Sequence, residues 1–256
     1  ASRPTVQDDP DLDRVLDHLE GLPLAIELAA ARLEVLPLPV LARCLPRPAT
    51  LTDPEGEGRH RSIRAALDAS WELLEPAVQR AWGQLAVFRG GIPLDAATAV
   101  LEPDHDALDV LHVLARHSLV RPAASVAGVP RYTMLEVIRT YAAERAGEAA
   151  LEGARALHGA WYLRASERWV LDWWRDEEVL QRLVTEKDNA MAALEAALDQ
   201  RSTEALRLLH AIEPALGRTM TLSANRALLE RVLAGFPERP PEAGMALVHL
   251  AHKHLV

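Results

Sequence analysis

The sequence predicts a mainly α-helical protein: a helical segment, then a helical unit carrying one small β-hairpin, then a run of longer helices. Three observations predict this. Apolar residues make up 49% of the 256 residues but aromatic ones only 4%, so any core must be built chiefly from Leu, Ala and Val, which suits helices better than sheets. Apolar side chains recur at spacings of three and four over most of the length. Period-two alternation is confined to two short stretches near the middle. A chain of this length suits two domains, or one domain followed by a repeat array.

In order along the chain, residues 10–20 read as a short helix with Leu12, Val15, Leu16 and Leu19 on one face. Gly21 ends it, and Pro23 sits where the next helix begins, at a first-turn position whose N–H has no intrahelical partner to lose. That second helix covers 22–36, with Leu24, Ile26, Leu28, Ala31 and Leu33 apolar, and Pro37 and Pro39 punctuate it before a third over about 39–45. Residues 46–60 hold three prolines, two glycines and several acids, and read as a mobile loop. Ser62 is the expected N-cap of a helix whose apolar stripe runs through Ile63, Ala66, Leu67, Ser70 and Leu74. Glu75-Pro76 starts another, carrying Val78, Trp82, Leu85 and Val87, and Gly90-Gly91 ends it. Short helices follow over 94–101 and 106–116.

The period then changes. Ser118-Leu119-Val120-Arg121 and Arg131-Tyr132-Thr133-Met134-Leu135 are strand-like, and residues 122–130, rich in Pro, Ala, Ser and Gly, form the long tip of a hairpin between them. A helix follows directly through Tyr141 and Arg145. Helix–helix–hairpin–helix is the winged-helix arrangement. After Gly147 the chain is all helix, with helices expected near 151–172, 176–199, 203–217, 223–235 and 241–255. Paired helices of this length suggest a TPR-like superhelix. The expected organisation is therefore a helical segment over 1–60, a winged helix over 61–147 and TPR-like helical repeats over 148–256.

Charge and cysteine content exclude several classes. The net charge is −9, and the basic-to-acidic counts are 6 to 11 up to residue 60, 9 to 10 up to residue 146 and 13 to 16 beyond. No segment is net basic, so non-specific attraction to phosphate is not built in. The single Cys44 has no internal partner for a disulfide and reads as a small apolar residue of a cytoplasmic protein. No apolar run is long enough to span a membrane, and no signal peptide opens the chain. Both ends read as boundaries cut from a longer chain.

Residues 21–33, Gly-Leu-Pro-Leu-Ala-Ile-Glu-Leu-Ala-Ala-Ala-Arg-Leu, resemble the GLPL motif of NB-ARC and related STAND-class signalling ATPases. Three further blocks follow in the family's order: Arg61 to Leu74; Gln79 to Trp82 with Leu85 to Gly91; and His117 to Val120 with Arg131 to Arg139. Together they cover residues 21–145. Residues 158–199, with Glu186-Lys187-Asp188-Asn189 ahead of Ala192-Ala193-Leu194, resemble the first sensor helices of bacterial STAND regulators.

The resemblance implies a regulatory fragment of an ATP/ADP-switched signalling or transcription-regulatory protein. Its winged helix would control the closed and open states, and its helical repeats would receive the signal. In the family the motif proline packs on adenine, which nominates Leu22 and Pro23. A Met-His-Asp motif at the end of the hairpin senses the ADP phosphate, and the aligned residues here are Met134, Leu135 and Glu136. Leu135 has no hydrogen to donate to a phosphate, and Glu136 would repel one unless paired with an arginine. The position carries over; its chemistry does not. No G-x-x-x-x-G-K-[ST] phosphate loop occurs in these residues, so ADP or ATP with Mg²⁺ is expected only in a longer parent that supplies a P-loop domain, and no enzymatic activity is expected of this chain. The implied partners are that P-loop domain, an unidentified ligand or protein on the repeats, and further copies of the chain when active.

Other candidates carry bland readings beside functional ones. Winged helices often bind DNA, but the only basic residues flanking this wing are Arg121 and Arg131, so DNA binding is not expected, with a DNA-binding transcription-factor fragment or helical scaffold as the alternative. His249 and His252 share a helical face at a spacing that can suit a metal, but no carboxylate or cysteine completes the set. Trp161, Trp169, Trp173 and Trp174 read as core between two helices, with a ligand-recognition face as the alternative. No catalytic set of nucleophile and base can be named.

Overall fold

The computed structural model describes residues 10–19, 23–33, 36–44, 57–102 and 106–255. The first three helices are α1 (Pro10–Leu19), α2 (Pro23–Arg32) and α3 (Leu38–Cys44). They bury Val15, Leu19, Ala29, Leu41 and Ala42 in a small core of their own. Helix α4 (Glu57–Leu73) packs on α2, and the buried Arg32 guanidinium donates to Ser70 Oγ at 2.6 Å across that contact. The expected cap at Ser62 is corrected, because α4 begins five residues earlier and Ser62 lies inside it. No proline stands between Glu57 and Ser62 to stop the helix propagating backwards. The expected loop over 46–60 falls outside the described residues for most of its length.

The next unit runs α5 (Pro76–Leu85), β1 (Ile92–Pro93), α6 (Leu94–Val100), α7 (Ala107–Arg116), β2 (Arg121–Val126), β3 (Val129–Thr133) and α8 (Glu136–Ala146). Pro76 occupies the start of α5, where its missing N–H costs nothing. Asp106 caps α7, accepting from the backbone N–H groups of Leu108 at 2.8 Å and Asp109 at 3.2 Å. The strands form one antiparallel sheet in the order β1-β3-β2, with Ile92 opposite Tyr132 and Arg121 opposite Thr133. Strand β1 is a finding that the sequence patterning did not reach, since two residues are too few to alternate.

The wing is longer and its turn tighter than expected. Residues 122–126 are strand, and only Ala127 and Gly128 make the turn, with φ of 48° and 74°. Left-handed φ at both positions is what a two-residue hairpin loop of the primed kind requires. The tip reads as loop in sequence because both faces of β2 are largely solvent-exposed, so no apolar alternation marks it.

Trp82 lies at the centre of this unit, fully buried, with ring centroids 5.4 Å from Trp71 of α4 and 5.6 Å from Tyr141 of α8. The Tyr141 hydroxyl donates to Asp68 at 2.7 Å, joining α8 to α4. Burial, with the Asp68 carboxylate second, pushes the Tyr141 hydroxyl well above its ordinary pKa.

Beyond Gly147 the chain continues as α9 (Glu148–Trp169), α10 (Glu177–Thr185), α11 (Lys187–Asp199), α12 (Glu204–Thr219), α13 (Leu222–Ala234) and α14 (Ala243–Leu255). The single helix expected over 176–199 is two helices that meet at Glu186. The periodicity is helical on both sides of the break, and no glycine or proline marks it. Helix α9 ends at Trp169, so Trp173 and Trp174 lie in the turn that follows. Helices α11 and α12 pack on α9, α13 on α12, and α14 on both α12 and α13. One continuous apolar core runs from the winged unit into this array, from Leu28 through Trp82, Leu114 and Leu163 to Ala246. None of the described helices is long and apolar enough to cross a membrane.

Candidate functional site

The winged unit is fastened to the helical array by a buried polar cluster, and its parts come from four places in the sequence. The loop after α5 supplies Arg89, Gly90 and Gly91; β3 supplies Arg131; α9 supplies His158 and Tyr162; and the α10–α11 break supplies Glu186 and Asn189. The Glu186 side chain is 2% exposed and accepts three bonds: from the Arg131 guanidinium, from the Tyr162 hydroxyl at 2.6 Å, and from Asn189 Nδ2 at 2.9 Å. Arg131 also donates to the Gly90 carbonyl.

Asn189 behaves as a piece of backbone. Its Oδ1 accepts from the N–H groups of Arg89 at 2.8 Å and Gly90 at 3.1 Å, and its Nδ2 also donates to the Gly91 carbonyl at 2.9 Å. It is fully buried, and its whole amide capacity is used. Gly91 has φ of 100°, and a Cβ there would stand 2.8 Å from Arg131 Nε. Only glycine gives this loop its turn and leaves room for the guanidinium.

His158 closes one side of the cluster, with its ring 5.0 Å from Phe88 and 4.6 Å from Tyr162. Burial lowers its pKa to about 4, so it is neutral at physiological pH. Burial and the Glu186 carboxylate raise the Tyr162 hydroxyl well above its usual range, which keeps it a donor. The cluster holds no activated nucleophile. A buried ion pair whose remaining lone pairs and protons are satisfied fixes orientation, because neither half can leave without exposing an unpaired charge.

A second surface is set by the helix-turn-helix geometry. Helices α6 and α7 are the two helices of the motif, so α7 is in the recognition position. Its exposed face presents Leu108, Asp109, His112 and Arg116, with the Asp106 cap at its start. Both basic residues that the sequence placed beside the wing are engaged elsewhere. Arg121 pairs with Glu27 of α2, and Arg131 is buried on Glu186.

The residues nominated by the sequence resemblance fall as follows. Leu22 lies outside the described residues, and Pro23 is the first residue of α2. Leu135 stands at the N-cap of α8 and is 43% exposed. Glu136 opens α8, bound by the guanidinium of Arg139, and that hydrogen bond lowers its pKa. Leu135 and Glu136 offer a nucleotide no hydrogen-bond donor from their side chains, so they do not fit a phosphate group.

The histidine pair of the sequence is regrouped. The His249 ring lies against His210 of α12, with Nδ1 of His210 3.0 Å from Nε2 of His249. Among the described residues, no group of three or more His, Cys, Asp or Glu side chains is set to hold a metal. The tryptophans divide: Trp161 and Trp169 are half-buried, whereas Trp174 is 61% exposed and is not core.

The buried cluster itself escaped sequence reasoning. Its members are 55 to 100 residues apart where the winged unit meets Glu186 and Asn189. The signal available was the Glu-x-x-Asn pair at 186 and 189, which shares a helical face with the apolar Ala190 and Ala193.

Residues 74–146 match the family model described as a winged helix-turn-helix domain. Over 209 residues, 77% of this chain, the sequence is 35% identical to the "Putative HTH-type transcriptional regulator Rv0890c" of Mycobacterium tuberculosis and equally to its Mycobacterium bovis counterpart Mb0914c. It is also 34% identical over 139 residues, 51% of the chain, to the uncharacterized protein Rv0894 of M. tuberculosis, of which that covers 35%. The chain spans 23% of the length of the two transcriptional regulators.

Proposed function

We propose that this chain is a regulatory segment of a larger transcriptional regulator, in which the winged helix couples a helical sensor array to the rest of the protein. The winged helix-turn-helix match and the names of the relatives support a transcription-regulatory role. The observation that carries the coupling role is the buried Arg131–Glu186 pair with its Tyr162 and Asn189 partners. It makes the wing and the first helices of the array move together. A signal received on the array is then transmitted through β3 rather than lost in a flexible linker.

The second reading is that the winged helix itself contacts DNA. The domain match favours it and returns duplex DNA to the candidate partners that charge alone set aside. Against it stand the acidic residues on α7 and the engagement of Arg121 and Arg131. The nucleotide switch with ADP or ATP and Mg²⁺, and a P-loop domain as partner, rest on the resemblance of residues 21–145 and belong to a longer protein.

Fluorescence anisotropy with a labelled duplex of arbitrary sequence separates the two readings. Non-specific binders reach dissociation constants of about 10⁻⁴ to 10⁻⁶ M and lose affinity steeply with salt. Coupling without DNA contact predicts no salt-dependent binding in that range. Binding that weakens with salt and is reduced by Arg116→Glu establishes the second reading instead. Hydrogen exchange tests the coupling directly: Glu186→Gln should raise exchange in residues 129–133 and in 187–190 together. Loss of protection on one side only would refute it.

A further inference from the structure

Two polar contacts join helix α14 to α12. His210 and His249 stack at 27° with ring centroids 5.3 Å apart, and Nδ1 of His210 lies 3.0 Å from Nε2 of His249. Both histidines are half-buried. One turn further along each helix, Lys253 Nζ donates to Glu213 Oε1 at 2.8 Å, and both of these side chains are mostly buried. Pro214 lies inside α12 and has no N–H for the His210 carbonyl, so the helical ladder is interrupted at the same turn.

The ring contact limits how many protons the pair can hold. Between nitrogens this close there is room for one hydrogen, so one ring donates and the other accepts. Two neutral rings meet that condition. A singly protonated pair also meets it, with a stronger, charge-assisted bond. Once both rings are protonated, each facing nitrogen carries a hydrogen; the bond is lost and two like charges oppose each other. Apart from each other and in water, both rings protonate near the ordinary histidine value of 6.5.

The surroundings do not relieve the conflict. Burial lowers the His249 pKa; Glu213 acts to raise it, and His210, Lys253 and His252 act to lower it further. Glu213 is already neutralised by Lys253. On α13, the other helix packed against α14, Arg226 and Glu230 pair with each other and Arg231 is exposed.

We propose that the His210–His249 contact is a pH-sensitive latch, which docks α14 on α12 while the pair holds at most one added proton and releases α14 when the second arrives. Release uncovers the apolar surface against which Ala243 and Ala246 are now buried. The latch belongs to the helical array alone, so it stands or falls apart from the transcription-regulatory reading. The undocked pair binds more protons than the docked pair below pH 6.5, so docking weakens as pH falls through that value. An excess approaching one proton raises the opening equilibrium by about five- to tenfold between pH 7 and pH 5.5.

The test is amide hydrogen exchange of the intact chain at pH 7 and pH 5.5, with protection over residues 243–255 corrected for intrinsic exchange rates. The fall in that protection is expected to be about five- to tenfold larger in the parent than in H210Q/H249Q, and the same in the parent and in H252Q, which alters an exposed histidine of the same helix. His158 is present in all three proteins, so its own acid sensitivity cancels. Equal falls in the parent and H210Q/H249Q overturn the proposal, as does an α14 without protection at pH 7. A second measurement needs only the parent: the ring resonances of His210 and His249 followed by NMR across pH. Two separate steps are expected, the second accompanied by shifts in the amides of 243–255. Both rings titrating together near pH 6.5 while those amides stay unchanged overturns the latch.

Discussion

Removing both halves of the Arg131–Glu186 pair should cost far less than the sum of removing each alone. Glu186→Gln keeps acceptors for Tyr162 and Asn189 but leaves the Arg131 guanidinium, 6% exposed, with only the Gly90 carbonyl. Arg131→Met leaves the Glu186 carboxylate, 2% exposed, held by two neutral donors. Breaking a buried pair from one side costs about 3–5 kcal/mol, because a charge is left without compensation. The double variant leaves no charge in the cluster, so its loss should be closer to that of one single variant than to the sum. The expected coupling is about 2–3 kcal/mol, well above the ~0.5 kcal/mol within which independent sites add. Urea unfolding of the four proteins at pH 7, followed by far-ultraviolet circular dichroism and tryptophan fluorescence, reads these values. Losses that add within ~0.5 kcal/mol would refute the argument, since they would mean the two side chains do not depend on each other. The exposed Arg121–Glu27 pair is the contrast: with both side chains about half exposed, Glu27→Ala should cost no more than about 1 kcal/mol in the same assay.

Three further outcomes follow from the same region. His158 has a folded pKa of about 4 against 6.5 unfolded, so the unfolded state binds more protons between those values and stability falls as pH drops through that window. The loss from pH 7 to pH 5 should be about 2 kcal/mol, and His158→Phe should lack that share of the acid sensitivity when denaturation midpoints are compared across pH. Gly91→Ala meets both a φ of 100° and the Arg131 side chain, and should cost about 1–3 kcal/mol; in an Arg131→Met background the steric share disappears and the penalty should shrink. Trp82→Ala empties the centre of the winged unit and should cost about 3–5 kcal/mol, whereas Trp82→Phe should cost clearly less, because the buried indole N–H makes no hydrogen bond and only ring volume is lost.

Helix content and order were legible in the sequence, because a 3.6-residue apolar period is local information. The helices at 10–19, 94–100, 204–219 and 222–234 fall within two or three residues of expectation. The hairpin was legible in position but not in length, since β2 is exposed on both faces and carries no alternation for a pattern to reveal. The Trp161–Trp174 segment was legible as aromatic, but which ring is core depends on where α9 ends. Turn geometry after Trp169 sends Trp174 outward, and nothing in the spacing announces that.

By itself, then, the sequence determined the mainly α class, the winged unit with its small hairpin, and the absence of any net basic segment. These depend on composition and on neighbours within a few residues. Tertiary structure alone decided that Arg131, Glu186, Asn189, Tyr162 and the Gly90–Gly91 turn converge, that α10 and α11 break at Glu186, and that of the two arginines beside the wing Arg131 is buried while Arg121 pairs with Glu27 at the surface. The physical reason is that a buried charge is tolerated only where partners from distant segments meet it. That condition is set by how the core of the winged unit packs on α9 and α11, and no single stretch of the chain contains it.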